Sequence, residues 1–252
     1  MNRFGKKITA FLLAFVTAAA VMPAMPAKAE VSYSTIEMNT TITGPAERTE
    51  SYYRFTMEES GRINVTLNIS KDYSFWMMPV KLYEADGEIA GDCIAENDAD
   101  VGTYVCAWDV MKGDYFLYVS GPRNYSLTLT PEYSGSTYDE SADEQNYNEN
   151  TAKKVDFNKT VKAALSMNET DGDFYKIKVG SKGILKVTAN TKAKDAQLVV
   201  YKMGKTPQTF NLMSGKSINK VKLDSKGTYY VIVRKGKDTG NYNFKLNFKK
   251  KK

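Results

Sequence analysis

SYYRFTMEESGRINVTLN, residues 51–68, and DFYKIKVGSKGILKVTAN, residues 173–190, decide the fold between them. Each carries an aromatic pair after its first residue, Tyr52-Tyr53 and Phe174-Tyr175. Each has a glycine at the same offset, Gly61 and Gly183, and apolar residues alternate with polar ones beyond it. Alternation with period two is the mark of a half-buried β-strand, and a glycine between two such runs marks a turn. The two stretches align without a gap, so this unit occurs twice.

Further blocks repeat in the same order. IEMNTTI (36–42) matches VDFNKTV (155–161), and VKLYEADG (80–87) matches VVYKMGK (199–205). MKGDYFLYV (111–119) matches SKGTYYVIV (225–233), and NYSLTL (124–129) matches NYNFKL (241–246). Matched blocks in one order mean a tandem duplication. Between the copies lies GSTYDESADEQNYNEN, residues 135–150, with five acidic residues, no basic ones and no apolar period. That composition predicts a flexible acidic linker. The domains are then residues 31–134 and 151–252.

Each copy is rich in Val, Ile, Tyr, Phe and Thr, with Gly, Asn or Asp at short intervals, and no stretch shows a helical apolar face. Short strands at that spacing predict an all-β protein of two antiparallel β-sandwich, jelly-roll-like domains. Tyr242, Phe244, Leu246 and Phe248 are expected inside, and Asn243, Lys245 and Asn247 outside. Residues 229–233 are apolar on both faces, which predicts a central strand or one covered by a loop.

Residues 1–29 read as a secretory signal: Arg3, Lys6 and Lys7, an apolar run, then Ala27-Lys28-Ala29 as a cleavage site. The expected product is extracellular, held at the cell surface, if at all, by non-covalent contacts. Export makes a disulfide between the only two cysteines, Cys93 and Cys106, the expected state. The chain contains no histidine, which removes the usual imidazole base of hydrolases and a common metal ligand.

The second copy carries Asp171-Gly-Asp-Phe-Tyr175, then Gly183-x-Leu-x-Val187, then Val200-Tyr201. It closes with Lys226-Gly-Thr-Tyr-Tyr-x-x-Val233 and Gly240-Asn-Tyr-x-Phe-x-Leu246. In these motifs it resembles the bacterial pre-peptidase C-terminal domain, a β-sandwich module attached to exported proteases and other secreted enzymes. The first copy follows the pattern less closely, with Glu47-Arg-Thr-Glu-Ser51 in place of the acidic turn. The resemblance implies a non-catalytic role in binding or secretion and no catalytic residues.

Charge is divided unevenly. Residues 30–134 hold 17 acidic and 7 basic side chains, whereas residues 151–252 hold 7 acidic and 24 basic. Three readings are open: solvated strand exteriors, attraction between the two halves, or an external anionic polymer. Almost every cation of the second half is Lys, which argues against nucleic acid, where Arg forks are favoured. Lys245, Lys249 and Lys250 are the candidate anion-binding residues. In the first half Tyr73 and Trp76 are candidates for stacking on sugar rings. Trp108, two residues beyond Cys106 on the same strand face, fits the core instead. Acidic loops at Asp98 and Asp100, and at Asp171 and Asp173, offer oxygen ligands at alternating positions, as calcium sites do, or simply form turns. No cofactor is expected beyond that calcium. The function expected is non-catalytic binding at the cell envelope or to an extracellular glycan. The alternative is an accessory subunit of a separately encoded exported hydrolase.

Overall fold

The structure is a computed structural model. It describes residues 32–47, 50–69, 77–85, 87, 89–96, 102–120, 124–141, 146–167 and 172–251. The signal segment, Tyr73, Trp76, Asp98, Asp100 and Asp171 therefore lie outside the described residues. No helix among the described residues is long and apolar enough to cross a membrane.

The chain forms two all-β sandwiches of the same plan. The first contains β1 (Tyr33–Thr35), β2 (Thr41–Thr43), β3 (Glu50–Met57), β4 (Gly61–Asn68), β5 (Met77–Glu84), β6 (Ile89–Glu96), β7 (Thr103–Val110), β8 (Gly113–Ser120) and β9 (Ser126–Tyr133). The second contains β10 (Lys153–Lys154), β11 (Thr160–Leu165), β12 (Asp173–Val179), β13 (Gly183–Thr191), β14 (Ala196–Tyr201), β15 (Gln208–Leu212), β16 (Gly215–Leu223), β17 (Gly227–Arg234) and β18 (Gly240–Lys250). The first module stacks a five-stranded sheet, β1-β3-β8-β5-β6, on a four-stranded one, β2-β9-β4-β7. The second repeats both orders, as β10-β12-β17-β14-β15 and β11-β18-β13-β16. Pairing is antiparallel except at one edge of each module, where β1 and β10 run parallel to β3 and β12.

Period-two alternation puts one side of every strand between the sheets. In β4, Ile63, Val65 and Leu67 are buried, and in β18, Tyr242, Phe244 and Leu246 are buried. They join two large cores, one per sandwich. The repeated glycine has a steric reason. A Cβ on Gly61 would stand 2.4 Å from the Glu132 carbonyl oxygen, and one on Gly183 the same 2.4 Å from that of Lys249. Only glycine lets the last strand of each module pass so close.

Trp108 is in the first core, as expected. The Cys93–Cys106 disulfide is formed and joins β6 to β7, so it ties the edge of one sheet to the edge of the other. Ile232, on the outer side of β17, lies in a small second cluster with Ala152, Phe174 and Val199. The double-sided apolar strand is thus a central strand covered by chain from the stretch before β10.

The described part of residues 135–150 is packed, where composition predicts a free linker. Glu140 is buried and accepts hydrogen bonds from the Ser136 hydroxyl at 2.5 Å and the Ala164 amide at 3.3 Å. Thr137 and Lys162 exchange two hydrogen bonds of 2.8 Å. Tyr138 leans on the second core and donates to the Lys154 carbonyl at 2.6 Å. Buried Asn146 pairs with Phe174 in both directions, at 2.6 and 3.0 Å. Thr137, Tyr138, Glu140 and Asn146, invisible in an average over an acidic segment, supply the anchoring groups.

The modules also touch directly. Asp109 in β7 is buried, receives Arg62 at 2.8 Å, and accepts from Thr239 of the second module at 2.7 Å. The Met167 amide donates to the Asp109 carbonyl at 2.8 Å. Lys192 reaches across to Glu132 at 3.0 Å, and its hydrogen bond holds the Glu132 carboxyl below its ordinary range.

Candidate functional site: the lysine face of the second module

Strands β11, β18, β13 and β16 read TVKAAL, GNYNFKLNFKK, GILKVTANT and GKSINKVKL. None of them contains Asp or Glu. Alternation sends Val, Leu, Tyr and Phe inward, so lysine, asparagine and threonine are left outside. Lys162, Lys186, Lys216, Lys220, Lys222, Lys245 and Lys249 are all exposed on this one face.

Register places them in rows. Asn247, Lys186 and Lys220 cross β18, β13 and β16 side by side. The next row reads Thr160, Lys245, Thr188 and Ile218, and the one after it Lys162, Asn243, Asn190 and Lys216. Lys249, Ile184 and Lys222 form the row on the other side. Lys186 and Lys220 are thus direct cross-strand neighbours of like charge, an arrangement that destabilises a sheet. The nearest carboxylate pairing lies beyond the strand end, where exposed Asp224 meets Lys222 at 3.1 Å.

At the end of the face nearest the first module is a pocket of about 270 Å³. Ser134, Lys162, Asn190, Lys192, Asn241 and Asn243 line it. The face and pocket together offer ammonium and amide donors at sheet spacing. They contain no nucleophile held by a base and no pair of opposed carboxylates.

Of the candidate anion-binding lysines, Lys245 sits in the middle of this face and Lys249 in its last row. Lys250 falls on the opposite parity, opposite Gly183, and is exposed because the strand ends there. Lys162, Lys186, Lys216, Lys220 and Lys222 complete the face and were missed. For Lys216, Lys220 and Lys222 the signal was the lysine alternation in GKSINKVKL, once β16 is known to lie beside β13. Asp173 has another task than calcium: it is buried and accepts the Tyr242 hydroxyl at 2.5 Å. Among the described residues no group of three or more His, Cys, Asp or Glu is placed to hold a metal ion.

The fold and this face define a class: a tandem pair of β-sandwich modules with a cationic outer sheet. No family model matches the chain. Among solved structures, the PBSX exported protein XepA is similar at 12% identity and a TM-score of 0.22, with 84% of this chain and 86% of that one covered. The CBM22-1–CBM22-2 tandem domain of Paenibacillus barcinonensis Xyn10C is similar at 10% identity and a TM-score of 0.22, with 84% and 86% covered. The cycloalternan-forming enzyme of Listeria monocytogenes is similar at 13% identity and a TM-score of 0.26; 84% of this chain spans only 19% of that enzyme. At these identities and TM-scores the likenesses carry no information about a ligand of this chain.

Proposed function

We propose that the protein is secreted and non-catalytic, and that its second module binds an anionic polymer of the cell envelope or the extracellular space. One observation carries this reading. Lys186 stands opposite Lys220 in the middle of a sheet face that has no carboxylate of its own. Like charges held side by side cost stability, and an external polyanion removes that cost. Lysine is a compact, hydrated point charge, suited to many loose contacts with phosphate or carboxylate groups rather than to one bidentate fit. In this reading the modules act as pre-peptidase C-terminal-like accessory domains, holding their protein to a surface without reacting with it.

The test is retention on purified cell walls and on a soluble phosphate polymer at about 0.05 M and about 0.5 M salt, because exposed charges are screened over that range. Retention at low salt and release at high salt is the expected result. Absence of retention at low salt overturns the reading and leaves the lysines as a solvated exterior.

A further inference from the structure

The outer face of the five-stranded sheet in the first module is built for a different ligand. Register sets Tyr33, Tyr52, Tyr118 and Lys81 in one row across β1, β3, β8 and β5. The adjacent row holds Arg54, Phe116 and Tyr83. The rings of Tyr52 and Tyr118 are 5.0 Å apart, and Tyr33 meets Phe116 edge-on at 5.5 Å. Phe116 is buried and forms the floor, while Tyr33, Tyr52, Tyr83 and Tyr118 stay half-exposed. The Tyr52, Tyr83 and Tyr118 phenols are hydroxyl donors at neutral pH, and burial, the first cause, with the nearby Glu50 pushes them further up.

The second module shows what these positions hold when the face is closed. Phe174, Ile232 and Val199 stand at the register positions of Tyr52, Tyr118 and Lys81. Chain from before β10 lies on them: Asn146 pairs with the Phe174 backbone, and Tyr201 donates to Glu149. In the first module each of the three ends in a hydroxyl or an amine instead. A face that is apolar and buried in one copy is aromatic and half-exposed in the other.

An open groove of about 460 Å³ continues this face at the β1 edge. Tyr33, Thr35, Glu37, Arg54, Thr56 and Tyr133 are among its walls, so Tyr33 and Arg54 belong to both features. Asp114 fixes that wall by accepting from Arg54 at 2.7 Å and from Thr56 at 2.6 Å.

We propose that the row Tyr33, Tyr52, Tyr118 and Lys81, with the groove beside it, is a binding site for a neutral polysaccharide. Sugar rings present apolar C–H faces and hydroxyl edges, and a tyrosine offers both an apolar ring and a polar tip. Strands about 4.8 Å apart make the row about 14 Å long, room for several sugar units. The ligand is neutral because the module is acidic, with 17 acidic against 7 basic residues over 30–134, and repels polyanions. This site is independent of the lysine face and is separated from it by its salt response.

The experiment is affinity electrophoresis of the purified protein in native gels containing glucomannan, mixed-linkage β-glucan or mannan, with binding repeated in solution at about 0.5 M salt. Retardation by at least one of these, unchanged by salt, is expected. The double variant Tyr52→Ser, Tyr118→Ser is expected to bind at least about tenfold more weakly, with an unchanged far-ultraviolet circular dichroism spectrum. Should that variant unfold, tyrosine nitration of the wild type decides: bound polysaccharide must protect Tyr52 and Tyr118. No retardation by any of the three, undiminished binding by the folded variant, or equal nitration with and without polysaccharide overturns the proposal. None of these outcomes bears on retention by anionic polymers.

Discussion

Tyr53 and Tyr125 meet hydroxyl to hydroxyl at 2.7 Å inside the first sandwich, and Tyr175 and Tyr242 do the same at 2.6 Å inside the second. The pairs occupy equivalent places. Tyr53 and Tyr175 lie in the five-stranded sheets, and Tyr125 and Tyr242 belong to the last strand of each four-stranded sheet or its entry. Each pair therefore ties one layer to the other through polar atoms in an apolar core, where a lost partner is costly. One difference in their surroundings is Asp173, which accepts from Tyr242, whereas Ser51 holds the matching register position in the first module.

Tyr242→Phe is expected to be the more damaging of two matched changes. It takes a donor from buried Asp173 and a partner from Tyr175, at a cost of about 1–3 kcal/mol. Tyr125→Phe takes a partner from Tyr53 and leaves only neutral groups behind. Urea unfolding of both variants checks this, and a reversed order contradicts the role given to Asp173.

The disulfide prediction concerns one module only. Cys93 and Cys106 close a loop with a sequence separation of 13 between sheet edges, and no other cysteine exists. Replacing both by Ser is expected to cost the first module roughly 3 kcal/mol on the chain-entropy model. The second module has no disulfide, and its thermal transition should not move. Differential scanning calorimetry of the variant reads the two separately; a shift shared by both would mean that the modules unfold as one unit.

Glu140 makes stability depend on pH. Burial pushes its carboxyl up to about 7, from an ordinary value near 4.5. The folded protein therefore holds a proton that the unfolded chain releases. That contribution is complete below about pH 4.5, falls as pH rises, and is gone above about pH 7. Chemical unfolding at pH 5 and pH 8 should show lower stability at the higher pH. Glu140→Gln, which keeps the acceptor for the Ala164 amide, should flatten the difference; an unchanged slope assigns it to another group.

The sandwiches were legible because strand alternation repeats in two copies, and coincidence of Gly61 with Gly183 or of Tyr53 with Tyr175 needs no structure to be seen. Other features depend on neighbours in space. β1 and β10 are three and two residues long, too short to show a period, yet they supply Tyr33 to the aromatic row and close one sheet edge. Asp173 has the spacing of a turn ligand and the burial of a core residue, and sequence spacing is the same for both. The lysine face exists only because β13 lies between β16 and β18, an order no single strand reveals. The packed stretch before β10 was missed for a similar reason: what anchors it is where Tyr138 and Asn146 land, not what surrounds them in the chain.

The lysine face predicts a trade between stability and binding. Lys220→Glu sets a carboxylate directly opposite Lys186, turning a repulsive cross-strand pair into an attractive one worth about 0.2–1 kcal/mol. The variant should therefore melt higher than the wild type while being retained less strongly on anionic polymers, eluting at lower salt. Deleting residues 249–252 removes four lysines, two of them the last residues of β18, but leaves Lys162, Lys186, Lys216, Lys220, Lys222 and Lys245 in place. It should weaken retention only in part and shift elution to lower salt. The two changes are informative together. A variant that is stabilised yet still binds in full would separate the face from function, and a deletion that abolishes binding outright would move the site from the sheet to its tail.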